Sequence, residues 1–175
     1  MMPADGLETL RRYDAIYFGA VGLPDAVPDH ISLWGLILPI RKAFDQYANV
    51  RPVRLLPGIA GHLRSKTAAD IDFVVVRENT EGEYAGAGGR VHVGTPHEAV
   101  VQTTIFTRMG VERIMRYAFE LARGRRKKVT SATKSNAMQH VMVFWDEVFS
   151  QVANDYPDVT TEKWHVDALA ARFIT

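Results

Sequence analysis

The most regular pattern of apolar and polar positions lies in the second half of the chain. Apolar residues recur at helical spacing over residues 110–123 and stop at Gly124, which predicts an amphipathic helix that ends at a glycine. A similar spacing predicts another helix over residues 138–154. Short runs of branched residues at 128–133 and 159–166 predict strands on either side of it. Strands and helices alternate here, which is typical of an α/β protein.

A predicted strand in the middle of the chain is followed directly by polar residues. Residues 73–76 are Phe-Val-Val-Val and predict a strand that is buried on both faces, with Arg77 at its C-terminal end. A polar, glycine-containing turn then leads to Tyr84. Open parallel sheets bind ligands at this end of their strands. Because arginine offers a planar fork for a carboxylate and tyrosine is a weak acid, we expect a site for a small anionic substrate.

The N-terminal quarter predicts a mixture of helix and strand. Residues 6–13 predict a short amphipathic helix, and residues 14–19 predict a strand that runs into a glycine turn ending at Pro24. A longer helix is predicted over residues 31–47. Pro39 interrupts it by removing one backbone donor, so we expect a kink or a restart there. The residues before the proline then either face a pocket or belong to an ordinary core helix.

An antiparallel arm is predicted between the two halves of the chain. Residues 50–57 predict a strand in which Pro52 indicates an edge or end position. After a flexible glycine-rich connector at 85–90, the alternating branched residues near 90–106 predict a hairpin. Its alternating residues suit antiparallel pairing, either within the hairpin or with the same arm of a second subunit. The chain is therefore expected to be an α/β protein with an added antiparallel element.

Composition excludes several classes of protein. The formal net charge of +1 gives no electrostatic reason to expect nucleic acid or a membrane surface as a partner. No apolar run has the length that a membrane span requires, and no signal peptide is recognisable. The chain has no cysteine, which excludes disulfides and thiolate zinc sites and is compatible with a reducing cytoplasm. We expect a cytoplasmic protein.

Several charged residues lie at the ends of predicted elements. Arg41, Arg51 and Arg77 are the candidates for binding a dicarboxylate, although a single arginine at such a position usually only solubilises the surface. Lys134 follows a predicted strand and is either an exposed loop lysine or a base whose pKa is lowered by nearby cations. Asp167 begins a predicted helix and is either an N-cap or an oxygen ligand for Mg²⁺ or Mn²⁺.

Motifs in a fixed order carry a resemblance to a known family. They read RKAFDQYANVRP at 41–52, VRENTEGEY at 76–84, TSATKSN at 130–136 and HVD at 165–167. Together they resemble the β-decarboxylating 2-hydroxyacid dehydrogenases, which include the isocitrate, isopropylmalate, tartrate and D-malate dehydrogenases. The resemblance implies an isopropylmalate dehydrogenase-like α/β fold. Residues 1–46 would be part of the large, cofactor-side domain, and residues 47–175 the small domain with its dimerisation hairpin.

The resemblance also implies an activity and a set of roles. The reaction would be oxidative decarboxylation of a small 2-hydroxy dicarboxylic acid with NAD and Mg²⁺ or Mn²⁺. The arginines Arg41, Arg51 and Arg77 would bind the carboxylates of the substrate. Lys134 would accept the proton of the 2-hydroxyl group, and Tyr84 would protonate the enolate that forms after decarboxylation.

Further roles implied by the family concern the cofactors, the substrate and a partner subunit. Asn136 would lie near the nicotinamide, and Asp167 would bind the metal. Both residues, like Lys134, would reach into the site of a second subunit, so that catalysis requires a homodimer. Trp34 and Ile37 would form an apolar wall at the variable end of the substrate, which favours D-malate or tartrate.

The chain departs from the family in length. Family members are about twice as long, and their N-terminal Gly-Asp-Gly-Ile-Gly-Pro loop and their downstream pair of metal-binding aspartates are not in this sequence. Two alternative functions are therefore considered in addition to the enzyme: a non-catalytic dimerising remnant, and a dicarboxylate-binding module of the same fold.

Overall fold

The chain forms two compact units, which are treated separately here. A computed structural model describes residues 2–23, 25–59, 61–64 and 66–174. The first unit is Met1–Tyr47 and the second is Ala48–Thr175. Pro24, the last residue of the predicted glycine turn, lies outside the described residues. That these units are the large and small domains implied by the resemblance stays a prediction.

The first unit is helical. Its elements are α1 (Gly6–Leu10), α2 (Asp29–Ser32), a π-helical segment (Leu33–Ile37) and α3 (Leu38–Ala43). The predicted helix at 6–13 is confirmed in a shorter form. Pro39 lies in the first turn of α3, where a missing N–H group costs little, and the preceding turn widens so that the Leu38 N–H donates to the Leu33 carbonyl. The predicted interruption is therefore a π-turn within a helical stretch.

The strand predicted at 14–19 is wrong. These residues have no regular secondary structure, and the side chain of Tyr17 is fully exposed. A strand needs a neighbour for its backbone groups. The described part of the first unit contains only one isolated bridge, between Leu23 and Val27, and no strand that could pair with this segment.

The second unit contains the strands and the longer helices. They are β1 (Ala48–Arg54), β2 (Asp72–Glu78), β3 (Gly82–Val91), β4 (Ala99–Ile105), α4 (Arg108–Arg123), β5 (Lys128–Thr133), α5 (Val141–Ala153), β6 (Thr160–His165) and α6 (Val166–Arg172). The described residues form two-stranded sheets: β1–β2 and β3–β4 are antiparallel, and β5–β6 is parallel. The predicted α/β class and antiparallel element are confirmed.

The burial predicted for β2 is wrong. Val75 in its middle is 41% exposed, although the sequence predicts a strand covered on both faces. β2 pairs with β1 in an antiparallel ribbon on which α4 packs. Antiparallel sheets commonly leave one face open to solvent, unlike the doubly covered parallel sheet that the sequence predicts. Pro52 lies opposite Val74 on the outer strand β1, which confirms its predicted edge position.

The hairpin is longer than predicted. β3 begins at Gly82, so the predicted connector at 85–90 is itself strand. Glycine is unfavourable in most strands, but pairing with β4 offsets this. At Gly88 glycine is required, because a Cβ atom there would overlap the Val101 carbonyl of the facing strand.

Replacing Gly88 with alanine is expected to open the hairpin locally, at a cost of about 1–3 kcal/mol. The added methyl group meets backbone, which has little freedom to move. Hydrogen exchange of the β4 amides should become faster in this variant. Gly89→Ala is the matched control, because a Cβ at Gly89 has open space around it. Equal exchange rates in the two variants would contradict the steric explanation.

The core of the second unit lies between α4 and α5. The predicted helices are confirmed, and Gly124 follows α4 as expected. On α4, Val111 and Phe119 are completely buried, and Val148 on α5 is nearly so. Thr107 caps α4, since its hydroxyl oxygen accepts a hydrogen bond from the Gly110 N–H at 3.0 Å. Among the described residues, no helix has the length and apolar character needed to cross a membrane.

Two arginines that follow α4 form hydrogen bonds with the first residue of β2. Arg125 donates to the Asp72 carboxylate at 2.7 Å, and Arg54 on β1 donates to the same oxygen at 3.2 Å. Arg126 donates to the Asp72 backbone carbonyl at 2.5 Å. The hydrogen bond from Arg125 is the main reason that the pKa of Asp72 is lowered. The sequence favours a solvated cap for this basic run, but part of it instead links α4 to β2.

This cluster predicts a pH dependence of stability. The pKa of Asp72 is lower in the folded state than its unfolded value of about 3.8. The ionised carboxylate therefore stabilises the fold above this unfolded pKa, and the stabilisation is lost as the pH falls through the folded pKa. The free energy of unfolding of Asp72→Asn should therefore depend less on pH below about pH 4 than that of the wild type. Urea unfolding at a series of pH values measures this difference. Glu147→Gln, an exposed change on α5, serves as the control.

Candidate functional site

Two candidate substrate-binding arginines lie on one face of the β1–β2 ribbon. Arg77 on β2 is directly opposite Asn49 on β1. Arg51 lies two residues after Asn49 and therefore points to the same face. The Asn49 side chain links them further, because its oxygen accepts a hydrogen bond from Arg51 Nε at 3.0 Å. Two guanidinium groups thus share one face with an amide between them, a suitable arrangement for a ligand with two carboxylates.

Tyr84 lies beside Arg77. The Arg77 guanidinium carbon is 4.8 Å from the centre of the Tyr84 ring, which is a cation–π contact between β2 and β3. Stacking on a ring face leaves the in-plane N–H groups of a guanidinium available for a carboxylate. The two residues that the sequence predicts near one anionic substrate are in direct contact.

Two glutamates hold the turn between Arg77 and Tyr84, and the sequence analysis assigned them no role. The buried carboxylate of Glu78 accepts hydrogen bonds from the N–H groups of Thr80 at 2.9 Å and Glu81 at 2.7 Å. Glu81 accepts from the Thr107 N–H at 2.8 Å, which ties the turn to the start of α4. Acidic residues within or beside a turn such as Thr-Glu-Gly indicate that their carboxylates bind nearby backbone N–H groups.

Lys134 and Asp167 form a second group. The register of β5–β6 pairs Thr133 with His165, so both strands end at the same level. Lys134 directly follows β5, Asp167 is the second residue of α6, and Lys134 Nζ lies 2.8 Å from Asp167 Oδ1. This hydrogen bond is the main cause of the lowered pKa of Asp167.

Asn136 lies in the exposed turn that follows Lys134. The turn is closed by the N–H groups of Ala137 and Met138, which both donate to the Lys134 carbonyl at 3.0 and 2.9 Å. Asn136 is therefore kept near Lys134 along the chain while its side chain remains accessible to solvent.

The remaining predicted residues belong to the first unit. Trp34 and Ile37 lie in the π-helical segment, and Arg41 lies in α3. The Trp34 side chain is 64% exposed, which is unusual for a large aromatic residue. π-Helical turns inside helices are frequent at functional sites. The π-turn, the exposed tryptophan and Arg41 are therefore candidates for one binding surface.

The described residues of this chain do not form a complete metal site. No group of three His, Asp or Glu side chains within them is arranged to hold a cation. Asp167 alone offers one carboxylate, and that carboxylate binds the Lys134 ammonium. A divalent cation requires several oxygen ligands, so the residues present do not fit it without ligands from elsewhere.

The second unit therefore carries two separate groups of candidate residues. Arg51, Arg77 and Tyr84 form the first, and Lys134 and Asp167 form the second. Within the described part of the chain, no hydrogen bond, ion pair or ring contact joins the two groups.

Comparison with known proteins identifies the family. The model of the isocitrate/isopropylmalate dehydrogenase family matches residues 1–175. The chain belongs to this family. The D-malate dehydrogenase [decarboxylating] of Escherichia coli is 60% identical over 175 residues, which are 99% of this chain and 48% of the relative. A probable tartrate dehydrogenase/decarboxylase of Agrobacterium vitis is 61% identical over 173 residues, with 98% and 48% covered.

A solved structure of the same family supports the fold. The crystal structure of isocitrate dehydrogenase from Methylococcus capsulatus matches with a TM-score of 0.77 and 30% identity, over 99% of this chain and 49% of that one. The isocitrate dehydrogenase-like α/β fold is therefore confirmed. This member of the isocitrate/isopropylmalate dehydrogenase family spans about half the length of the relatives it matches.

Proposed function

We propose that this chain is the substrate-binding portion of an enzyme that oxidatively decarboxylates D-malate or tartrate with NAD and Mg²⁺ or Mn²⁺. The observation that carries the proposal is the pair Arg51 and Arg77 on one face, with Tyr84 stacked on Arg77. The similar proteins from E. coli and A. vitis are named for D-malate and tartrate, which supports this choice of substrate. The absence of cysteine is compatible with a reducing cytoplasm, the compartment we propose.

The arginines and two proton-transfer groups perform the proposed reaction. Arg41, Arg51 and Arg77 bind the two carboxylates of the substrate. Lys134 accepts the proton of the 2-hydroxyl group, directly or through water, as C2 is oxidised. After the C3 carboxylate leaves as carbon dioxide, the Tyr84 hydroxyl donates a proton to C3 of the resulting enolate. NAD, when bound, would supply the acceptor for the hydride that leaves C2, and Mg²⁺ or Mn²⁺ would supply Lewis-acid assistance.

Other residues have supporting roles in the proposal. Asn136 would lie near the nicotinamide, and Asp167 would contribute one of the several oxygen ligands that the cation requires. Trp34 and Ile37 form the apolar wall that limits the substrate to a small acid. An apolar wall discriminates against a further charged group, because that group would lose its hydration without a partner.

The active form in this proposal is a homodimer with shared sites. Lys134, Asn136 and Asp167 serve the site of the partner subunit, so the two groups of the second unit need not touch each other within one chain. The hairpin offers an interface, since Val91 on β3 and Val100 and Val101 on β4 are each more than half exposed.

Binding of the dicarboxylate tests the proposal. Calorimetry with D-malate and with tartrate should give saturable binding to the chain, and Arg77→Ala should weaken it about 10- to 100-fold, because a charge-assisted contact of about 1.5–3 kcal/mol is lost. Arg90→Ala, a change of an exposed arginine on β3, should leave affinity unaltered. No binding of either acid, or equal effects of the two changes, would refute the proposed site.

Measuring NADH formation distinguishes the proposed enzyme from a binding module and from a dimerising remnant. NADH should form when a chimera, in which residues 1–175 replace the matched half of the E. coli D-malate dehydrogenase, is mixed with D-malate or tartrate, NAD and Mn²⁺. Dicarboxylate binding without NADH would favour a binding module of the same fold. A dimeric mass together with no calorimetric response to NAD or to either acid would favour a dimerising remnant.

A further inference from the structure

Tyr84 lies in an irregular part of the β3–β4 hairpin. The two strands pair at Gly82 and again from Ala87 onward, and residues 83–86 between these points lie opposite Thr104 on β4. Several residues opposite one form a β-bulge, which bends its strand and increases the local twist. Bulges are frequent beside active sites because they redirect side chains. The bulge therefore determines the direction in which the Tyr84 side chain leaves β3.

Two glycines permit this bulge but do not fix its shape. Gly82 and Gly86, at its two ends, have φ angles of 72° and 79°. This left-handed region is unfavourable for residues that carry a Cβ atom, so glycine allows the backbone to leave the ladder and return to it. Because glycine is also the most flexible residue, the orientation of the residues between the two glycines must be set by other contacts.

Two side chains of β4 provide these contacts. Gln102 Nε2 donates to the backbone carbonyl of Glu83 at 3.1 Å, and the Thr104 hydroxyl donates to Glu83 Oε1 at 3.1 Å. Gln102 and Thr104 are two residues apart and therefore lie on the same face of β4. The Glu83 carbonyl belongs to the planar peptide unit that ends at the Cα atom of Tyr84. Gln102 thus fixes the peptide plane from which the Tyr84 side chain extends.

Arg77 constrains Tyr84 from the other side. Its guanidinium carbon is 4.8 Å from the centre of the Tyr84 ring, and the Tyr84 side chain is half-buried. A stacked ring can still slide over a guanidinium plane, so this contact alone does not fix the position of the hydroxyl group. A proton donor must keep that group within hydrogen-bonding reach of the reacting atom, and a displacement of about 1 Å can be costly. The backbone contacts from β4 supply the missing constraint.

We propose that Gln102 and Thr104 are positioning residues for Tyr84. They hold Glu83 in the bulge, and the bulge directs the Tyr84 hydroxyl group towards a ligand bound at Arg77. Neither residue has to touch the substrate, because both act through the backbone and side chain of Glu83. This inference rests on the proposed function, in which Tyr84 donates a proton to C3 of the enolate.

Rapid kinetics of the chimera test the inference. Gln102→Leu keeps a side chain of similar size but removes the N–H donors. The hydride leaves C2 before the enolate is protonated, so this variant should form about one NADH per site in a fast burst. The steady-state rate that follows should be about three- to tenfold below that of the wild type, the effect of one lost hydrogen bond. Affinity for the dicarboxylate should stay within about twofold, because the arginines are unchanged.

Three further variants separate positioning from a general effect on the hairpin. Thr104→Val removes the second hydrogen bond to Glu83 and should also give a burst and a lower steady-state rate. Thr103→Val is its matched control, because alternate residues of a strand point to opposite faces, and it should behave as the wild type does. Gln102→Lys retains N–H donors on a side chain of sufficient length and should restore the steady-state rate to within about twofold.

The chain by itself provides a readout that does not require turnover. The ring current of Tyr84 should shift the Arg77 Nε–H resonance upfield, because the guanidinium lies over the ring. In an NMR spectrum of the whole chain this resonance is identified as the one that Arg77→Lys removes. It should move downfield in Gln102→Leu, and it should keep its position in Thr103→Val.

Several outcomes would overturn the inference. Gln102→Leu could turn over at the wild-type rate without a burst, or its Arg77 resonance could stay in place. A weaker affinity for the dicarboxylate with an unchanged maximal rate would mean that Gln102 supports substrate binding instead. Failure of the proposed function gives a different result, because a folded wild-type chimera would then form no NADH at all.

Discussion

Replacing Lys134 with methionine is expected to lower the rate of D-malate or tartrate oxidation about 10²- to 10⁴-fold, the usual contribution of a general base. Methionine keeps an unbranched chain of similar length but cannot accept a proton. Affinity for the dicarboxylate should stay within about threefold, because the arginines provide the binding. NADH formation is measured in a chimera in which residues 1–175 replace the matched half of the E. coli D-malate dehydrogenase, with which they share 60% identity.

The structure offers a matched control for this change. Lys128, at the other end of β5, forms an ion pair with Glu162 at 2.8 Å, the same distance as that between Lys134 and Asp167. Both pairs are exposed to solvent, which screens them, so each variant should lose little stability. Lys128→Met should leave the rate unchanged. Similar rates in the two variants would show that Lys134 acts only as an ion-pair partner.

Local sequence patterns were sufficient for the elements that pack on a continuous apolar face. The stripe on α4 and the glycine after it are properties of one segment, and the helix was predicted to within two residues at each end. The strand at β5 has the predicted bounds. α4 packs against α5, β2 and β5, which cover its apolar stripe.

Predictions failed where an element depends on a distant neighbour. Residues 14–19 have the composition of a strand, but no partner strand is present in the described part of their unit. The glycine-rich residues 85–90 have the composition of a loop, yet β4 pairs with Gly88 and Gly89 among them. In both cases long-range backbone pairing decides the structure, and the local sequence does not contain that information.

In the candidate site too, local contacts were predictable from the sequence and long-range contacts were not. The contact between Arg77 and Tyr84 joins residues seven apart, and the sequence placed both near one substrate. The contact between Lys134 and Asp167 joins residues 33 apart and requires the parallel register of β5 and β6. Asn49 was not predicted, because its position between two arginines follows only from the antiparallel register of β1 and β2.

Replacing Phe119 with alanine is expected to lower the free energy of unfolding by about 3–5 kcal/mol. The Phe119 side chain has no exposed surface, and its ring lies 4.8 Å from the ring of Tyr156 and 5.6 Å from that of Phe149. The change removes apolar contacts and two ring–ring interactions, and it leaves a cavity because interiors are closely packed. Urea unfolding followed by circular dichroism measures the loss.

Met109 provides the comparison on the same helix. It is 69% exposed at the start of α4, so Met109→Ala should change stability by less than about 0.5 kcal/mol. A small effect of Phe119→Ala would mean that α4 and α5 do not pack as described.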